Sequence, residues 1–442
     1  MKLLSILMAK IALIFGKILN RGSSLPGKVA LKIDKKILSK LQYVCPIIAV
    51  TGSSGKGSTS NLIAEVLRNN NKTVCHNNSG SNLAWGITTS LIKNSTIFGK
   101  IKTDYIVLEI DERYAKTVFQ DLKPDYLIIT NITKDQPPRQ YNVEIIYNEI
   151  LMSIPSNTKI ITNMDEPFLR KFALDLPNEN IYYSITQNKY SYKSQIFENL
   201  NIYFCPKCHT FLEYDYYNFE TLGKYNCPNC DFKYIEPSTI AYNLNLEDCS
   251  LVLNDKKVNI GGDMLYYAYN TLAAITTLQE LKIEFSAIIN SVNKLNISKS
   301  LNFKAYKKEF IPLSSKAENA STYNQSIFKV ISDNRPKDII IGWKEISRRY
   351  KHFDISWLYD IEFELLNNST IGTFYACGID KNNIKQRLIL AGIKESQIIT
   401  ADSLLDIKEH IINSESEVIY GILNFDYIDP FTETFKEEES CK

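Results

Sequence analysis

The chain has 442 residues, 44% of them hydrophobic and 23% charged, with 51 Lys and Arg against 49 Asp and Glu for a formal net charge of +2. That is the composition of a soluble globular protein, and the length is too great for one ordinary core, so two or three domains are expected. The charge balance argues against nucleic acid as a partner, because neutralising phosphates needs a basic excess.

Leu3–Phe15 is apolar but interrupted by Lys10, with Lys2, Lys17 and Arg21 around it. It falls short of the roughly 20 apolar residues of a spanning helix, and no small-residue cleavage site follows it. An amphipathic helix is expected, either packed on its own protein or in peripheral contact with a membrane surface. Ile47–Val50 reads as a strand ending in a Gly/Ser turn, and Leu62, Ile63, Val66 and Leu67 give the helical spacing that follows. Further strands are expected at Tyr105–Ile110, Tyr126–Thr130 and Lys159–Thr162. Strands alternating with helices imply a parallel sheet covered on both faces. From about Tyr182 to Pro237 the texture turns to Tyr, Asn, Lys and paired cysteines, as in an insertion. Asp263–Lys282 reads as a helix. A second α/β texture begins after Phe303, with strands at Asp338–Gly342, Thr373–Cys377 and Val418–Ile422, and the chain ends in the acidic run Glu437–Glu439.

Thr51-Gly52-Ser53-Ser54-Gly55-Lys56-Gly57-Ser58-Thr59 has the makings of a phosphate-binding loop. Its glycines let backbone N–H groups close on phosphate oxygens, and the next helix adds its dipole. Lys56 can reach the β- and γ-phosphates, and a following hydroxyl can ligate Mg²⁺. Walker A spacing is not kept: Val50 stands at the first glycine position and Gly57 follows the lysine. The Mg²⁺ hydroxyl is therefore expected from Ser58, with Thr59 the alternative. Glu109 and Asp111, at a strand end, are carboxylates for the same hard cation or simply solvated charges.

Nine cysteines are present, five of them scattered. Cys205-Pro-Lys-Cys208 and Cys227-Pro-Asn-Cys230 form two matched knuckles whose four thiolates complete a tetrahedron for Zn²⁺. A redox dithiol fits this pairing poorly. Four thiolates close the site, so His209 is expected to be a bystander and the zinc structural. This usage, with no secretory signal, fits a reducing, cytoplasmic compartment.

The loop resembles that of the Mur ligase superfamily. Glu109-Ile-Asp111-Glu112, Asn163-Met-Asp165-Glu-Pro167 and Tyr269-Asn270 resemble further segments of that superfamily, and Arg21-Gly-Ser-Ser-Leu-Pro-Gly-Lys28, Asn77-Asn-Ser-Gly80-Ser-Asn82, Asn131-Ile-Thr-Lys-Asp135-Gln136-Pro-Pro-Arg139 and Asp354-Ile-Ser-Trp357-Leu-Tyr-Asp360 resemble its MurT branch. The resemblance implies an N-terminal segment over 1–45 and a central ATP-binding domain over 46–300 with a parallel sheet and a zinc ribbon at about 200–236. A Rossmann-like α/β domain over 301–442 completes it. It adds Asn82, Asn270 and Lys307 to the nucleotide contacts and pairs Ser58 with Glu109 on Mg²⁺. It implies ATP-dependent amidation of a glutamate carboxylate on a lipid- or nucleotide-linked wall precursor, with ammonia from a GatD-like glutaminase in a heterodimer. Asp354, on its own a surface carboxylate, would then complete the partner's Cys-His pair.

Departures fall mainly in the last domain. Lys307 replaces an arginine, Glu318-Asn319-Ala-Ser-Thr-Tyr323-Asn324 keeps only Asn319 of an N-P-A-G run, and Asn424-Phe-Asp-Tyr-Ile lacks P-T-Y. They leave the acceptor open between murein and pseudomurein precursors. Two other readings stand beside amidation: a ligase that adds an amino acid without a glutaminase, and a nucleotide-binding scaffold that has lost catalysis.

Overall fold

The structure, a computed structural model, describes residues 1–18, 24–78, 81–134, 142–200, 204–295, 301–315, 319–343 and 354–436. Arg21, Gly80, Asp135, Gln136, Arg139, Glu318, His352, Cys441 and the acidic run Glu437–Glu439 lie outside the described residues. The chain forms two compact units. The first takes in Met1–Ile132, Val143–Lys193 and Ile202–Ser298; the second takes in Lys299–Lys442 with two excursions, Thr133–Asn142 and Ser194–Asn201.

The strands of the first unit are β1 (Ile47–Thr51), β2 (Val74–His76), β3 (Tyr105–Glu109), β4 (Tyr126–Ile129), β5 (Lys159–Asn163), β6 (Asn180–Ile185), β7 (Glu213–Phe219), β8 (Leu222–Asn226), β9 (Thr239–Asn245), β10 (Ser250–Leu253) and β11 (Lys256–Asn259). Nine make one sheet in the order β11-β10-β9-β6-β5-β4-β1-β3-β2. The run from β9 to β2 is parallel, and β10 and β11 add an antiparallel edge. Because these strands are covered on both faces they read as continuous apolar runs, and all five residues of β1 are buried. The four strands expected here begin at the expected residues and end within one residue of expectation. The chain leaves β1 towards the β3 side and crosses back to β4, so the carboxyl ends of β1 and β4 flank a topological switch point, where open α/β sheets bind ligands.

The composition change at Tyr182 does not mark the start of the insertion. Asn180–Ile185 is a nearly buried strand of the main sheet, and tyrosine is a good strand former. The insertion lies between β6 and β9, and its β7–β8 hairpin is a separate two-stranded sheet. At the amino end, helix Lys2–Ile18 packs on helices Leu25–Ile33 and Ala84–Lys93. Among the described residues no helix is long and apolar enough to cross a membrane.

The second unit contains β12 (Phe303–Ala305), β13 (Lys308–Ser315), β14 (Lys337–Trp343), β15 (Ile371–Gly378), β16 (Ile398–Ala401) and β17 (Val418–Asn424). They form one sheet in the order β12-β13-β17-β14-β15-β16, parallel except for β12. Ile339 and Ile341 of β14 join one apolar cluster and Ile340 another, so this sheet too is covered on both faces.

Candidate active site and metal centre

β1 delivers the chain into the loop Gly52–Gly55 at the switch point, and helix Lys56–Asn69 begins directly behind it. Gly52 and Gly55 both lie in the left-handed region, at φ +129° and +78°. A Cβ on Gly52 would stand 2.3 Å from Thr130 Oγ1, and one on Gly55 2.3 Å from Asn270 Oδ1, so both close approaches require glycine. The end of β4 latches the loop. Ser53 N donates to Asn131 O (3.0 Å), Ser54 N to Asn131 Oδ1 (2.9 Å), and Thr130 Oγ1 to Ser54 O (2.6 Å). Neither Thr130 nor Asn131 was singled out from sequence as a loop contact.

Lys56 Nζ is nearly buried and donates to Gly52 O, with Glu112 Oε2 2.9 Å away as its counter-charge. Glu112 is also nearly buried, and the sequence reading gave it no role. Glu109, at the end of β3, is clamped by Asn77 in both directions, with Glu109 N donating to Asn77 Oδ1 and Asn77 Nδ2 to Glu109 O, each at 2.8 Å. Asn82 Nδ2 donates to the Glu109 carboxylate at 3.0 Å. The loop residue whose Cβ would face that carboxylate is Gly57, at 3.1 Å from Oε2; Ser58 is exposed and Thr59 buried. Thr59 Oγ1 and Asn270 Nδ2 are buried without a hydrogen-bond partner. Unspent donors, a helix N-terminus, a lysine and a clamped carboxylate suit a nucleotide phosphate and its Mg²⁺. Lys307 belongs to the second unit, where it is exposed in the β12–β13 turn.

The four sulfurs of Cys205, Cys208, Cys227 and Cys230 lie within 4.8 Å of one another. Cys205 Sγ is 3.6 Å from Cys230 Sγ and Cys208 Sγ 3.4 Å from Cys227 Sγ. Tetrahedral Zn–S bonds of about 2.3 Å set sulfurs about 3.8 Å apart, so the set fits Zn²⁺ with little movement. The backbone N–H of Lys207 points at Cys205 Sγ and that of Asn229 at Cys227 Sγ, each at 3.4 Å, as suits a thiolate. His209 is exposed and outside the cluster.

The hairpin β7–β8 seats on the turn after β5. Gly223 N donates to Asp165 O (2.9 Å), and Thr221 Oγ1 to Glu166 Oε2 (3.0 Å). Asp165 is fully buried and accepts from Tyr269 OH (2.7 Å) and Ile185 N (3.0 Å). Burial pushes its carboxyl up to about 7, against the opposing pull of those hydrogen bonds. Tyr269 precedes Asn270, the residue against Gly55, so ribbon, acidic turn and phosphate loop form one connected network.

In the second unit Asp354 is exposed, two residues before the short helix Ser356–Asp360. Ser356 N donates to its Oδ1 at 3.0 Å, and hydrogen bonding to Ser356 holds the carboxyl below its usual range. Trp357 anchors that helix in a buried cluster with Tyr323 and Trp343. Asn319 caps helix Ala320–Ser332 through a reciprocal bond with Thr322.

The Mur ligase middle-domain model matches residues 50–230, and the MurT ligase C-terminal model matches 317–426. Among solved structures, a pseudomurein peptide ligase type C from Methanothermus fervidus is 18% identical with a TM-score of 0.66, covering 90% of this chain and 80% of that one. MurF from Thermotoga maritima in complex with ADP is 14% identical with a TM-score of 0.59, covering 92% and 83%. Fold and loop thus define an ATP-dependent ligase of the Mur type. Among curated relatives, the MurT subunit of lipid II isoglutaminyl synthase from Staphylococcus aureus (strain COL) is 31% identical over 392 residues, 86% of each chain. Its counterpart from Streptococcus pneumoniae is 28% identical, covering 92% of this chain and 91% of the relative. The chain belongs to the MurT family.

Proposed function

We propose that this chain is the synthetase subunit of a glutamine-dependent complex that amidates a glutamate carboxylate on a lipid II-like wall precursor. The supporting observation is that similarity to the MurT relatives spans most of the chain, including the C-terminal segment that carries Asp354. The glutamate carboxylate would attack the γ-phosphorus of ATP and expel ADP, and ammonia would then displace phosphate from the acyl phosphate and give up a proton to leave the amide. The first N–H groups of helix Lys56–Asn69, behind a loop latched to Asn131, cradle the phosphates. Lys56 exchanges Glu112 for phosphate oxygen and stabilises charge on the transferring group. Glu109, oriented by Asn77 and Asn82, is the carboxylate for Mg²⁺, with the hydroxyl supplied by Ser58 or Thr59. Asn270 spends its unpartnered Nδ2 on the nucleotide. The four cysteines hold Zn²⁺ as a structural centre.

Asp354 is ionised, exposed and backed by a rigid aromatic cluster, which suits a group that works on a partner. It orients the histidine of a GatD-like glutaminase and supports its cationic form. A lipid-linked acceptor places the work at the cytoplasmic face of a membrane. One variant with two nitrogen sources tests this reading. Asp354→Asn should cut glutamine-driven amidation by up to about 10⁴-fold, the size of the analogous loss in a serine-protease triad, while free ammonia still supports turnover. Equal impairment with both sources would assign Asp354 to the synthetase site, and impairment with neither would return it to the bare surface. Either result refutes the role.

A further inference from the structure

The N-terminal helix Lys2–Ile18 is built inside out. The side that faces the protein carries one large side chain among small ones: Ser5, Ile6 and Ala9 are fully buried, and Ser5 Oγ donates to Ala30 O at 2.9 Å. Its large side faces outward, with Leu3, Leu4, Leu7, Ile11, Ile14 and Phe15 between 38% and 65% exposed. These positions recur at three- and four-residue spacing, so they form one continuous apolar stripe. An isolated exposed leucine needs no explanation, but a contiguous stripe of this kind marks an interaction surface.

Charge identifies the occupant. Residues 1–40 contain nine Lys and Arg and a single acidic residue, Asp34, although the whole chain is only +2. Asp34 is buried and paired with Lys40, whereas Lys28, Lys32, Lys35 and Lys36 are exposed on or just after the helix that packs against the first. An apolar stripe beside a cluster of lysines complements a surface that is apolar within and negative at its rim. Two copies of the segment set face to face would bring like charges together. We propose that this helix lies in the plane of an anionic lipid bilayer, its outer stripe among the acyl chains and the neighbouring lysines on the headgroups. The other face of the helix is packed on the protein, where Lys10 Nζ donates to Ile92 O and Ser95 O, so in-plane docking is the geometry available to it.

The test needs neither nucleotide nor acceptor, so its outcome is independent of the proposed chemistry. The full chain is sedimented with phosphatidylcholine vesicles prepared with and without phosphatidylglycerol, at low and high salt. Wild type should partition onto the anionic vesicles, less so at high salt. Leu7→Asp combined with Ile14→Asp removes two outward side chains and should weaken partitioning by about 100-fold with an unchanged melting temperature. Lys32→Gln with Lys36→Gln, which leaves the stripe intact, should weaken it by about fivefold per charge. Wild type that stays in solution with anionic vesicles, or a Leu7/Ile14 variant that still sediments, would overturn the proposal. So would a wild-type dimer that the same variant converts to monomer without any vesicle binding.

Discussion

Glu112→Gln tests the ion pair that sequence reading missed. Lys56 and Glu112 are 9% and 4% exposed, with Nζ and Oε2 2.9 Å apart. Breaking a buried pair by removing one partner typically costs about 3–5 kcal/mol, because the remaining charge stays buried. Glutamine keeps the shape and one hydrogen bond worth about 1 kcal/mol, and Gly52 O still accepts from the ammonium. A net loss of about 2–3 kcal/mol in the free protein is therefore expected. Nucleotide should reverse the order. In wild type, bound phosphate has to displace Glu112 from Lys56; in the variant no carboxylate competes. The variant should bind a non-hydrolysable ATP analogue with Mg²⁺ more tightly, by about tenfold or more, and show a larger stabilisation on adding it. Denaturant unfolding with and without the analogue, together with titration calorimetry, reads both quantities. Unchanged stability with weaker nucleotide binding would refute the reasoning and make Glu112 a direct ligand of the Mg²⁺-nucleotide complex.

Metal analysis should find about one zinc per chain; Cys227→Ser should lose it and lower the melting temperature, since a closed zinc site contributes directly to folding. Zinc-free protein with unchanged stability would contradict this. Asp165 makes stability depend on pH. Its folded value of about 7 lies above the usual 3.8, so between those values the native chain keeps a proton that the unfolded chain has released. Stability should fall as pH rises through that window and level off above it. Asp165→Asn should make the profile of melting temperature shallower across roughly pH 4–7, the slope that remains coming from Glu166, which burial also raises to about 7, and an equally steep profile in the variant would exclude Asp165 as a source.

What could be read from the sequence is what is local in it. Gly52, Gly55 and Lys56 announce a phosphate loop because glycine freedom, the lysine and the helix start fall within five consecutive positions. The knuckles at Cys205 and Cys227 are legible for the same reason. The partners that hold these groups are not local. Glu112 and Asn131 follow β3 and β4 and meet the loop only because parallel strands set their carboxyl ends side by side, Asn270 reaches it from the helix Leu265–Glu280, and nothing in a single sequence gives that placement. Asp165 and Tyr269 are 104 residues apart and meet in one hydrogen bond. Turn chemistry was readable in one hairpin and hidden in another. Asn254-Asp255 between β10 and β11 takes positive φ at both positions, as those residues tolerate, but Tyr306-Lys307 between β12 and β13 does so without a residue type that signals it. The N-terminal helix sharpens the point. Its periodicity predicts two faces but not which one turns inward, and hydrophobicity alone would bury the leucines. The structure buries Ser5, Ile6 and Ala9 instead, the two small side chains letting the helices approach closely. The face that pattern alone would assign to the core is thus the one left for a partner, and only the packing distinguishes the two.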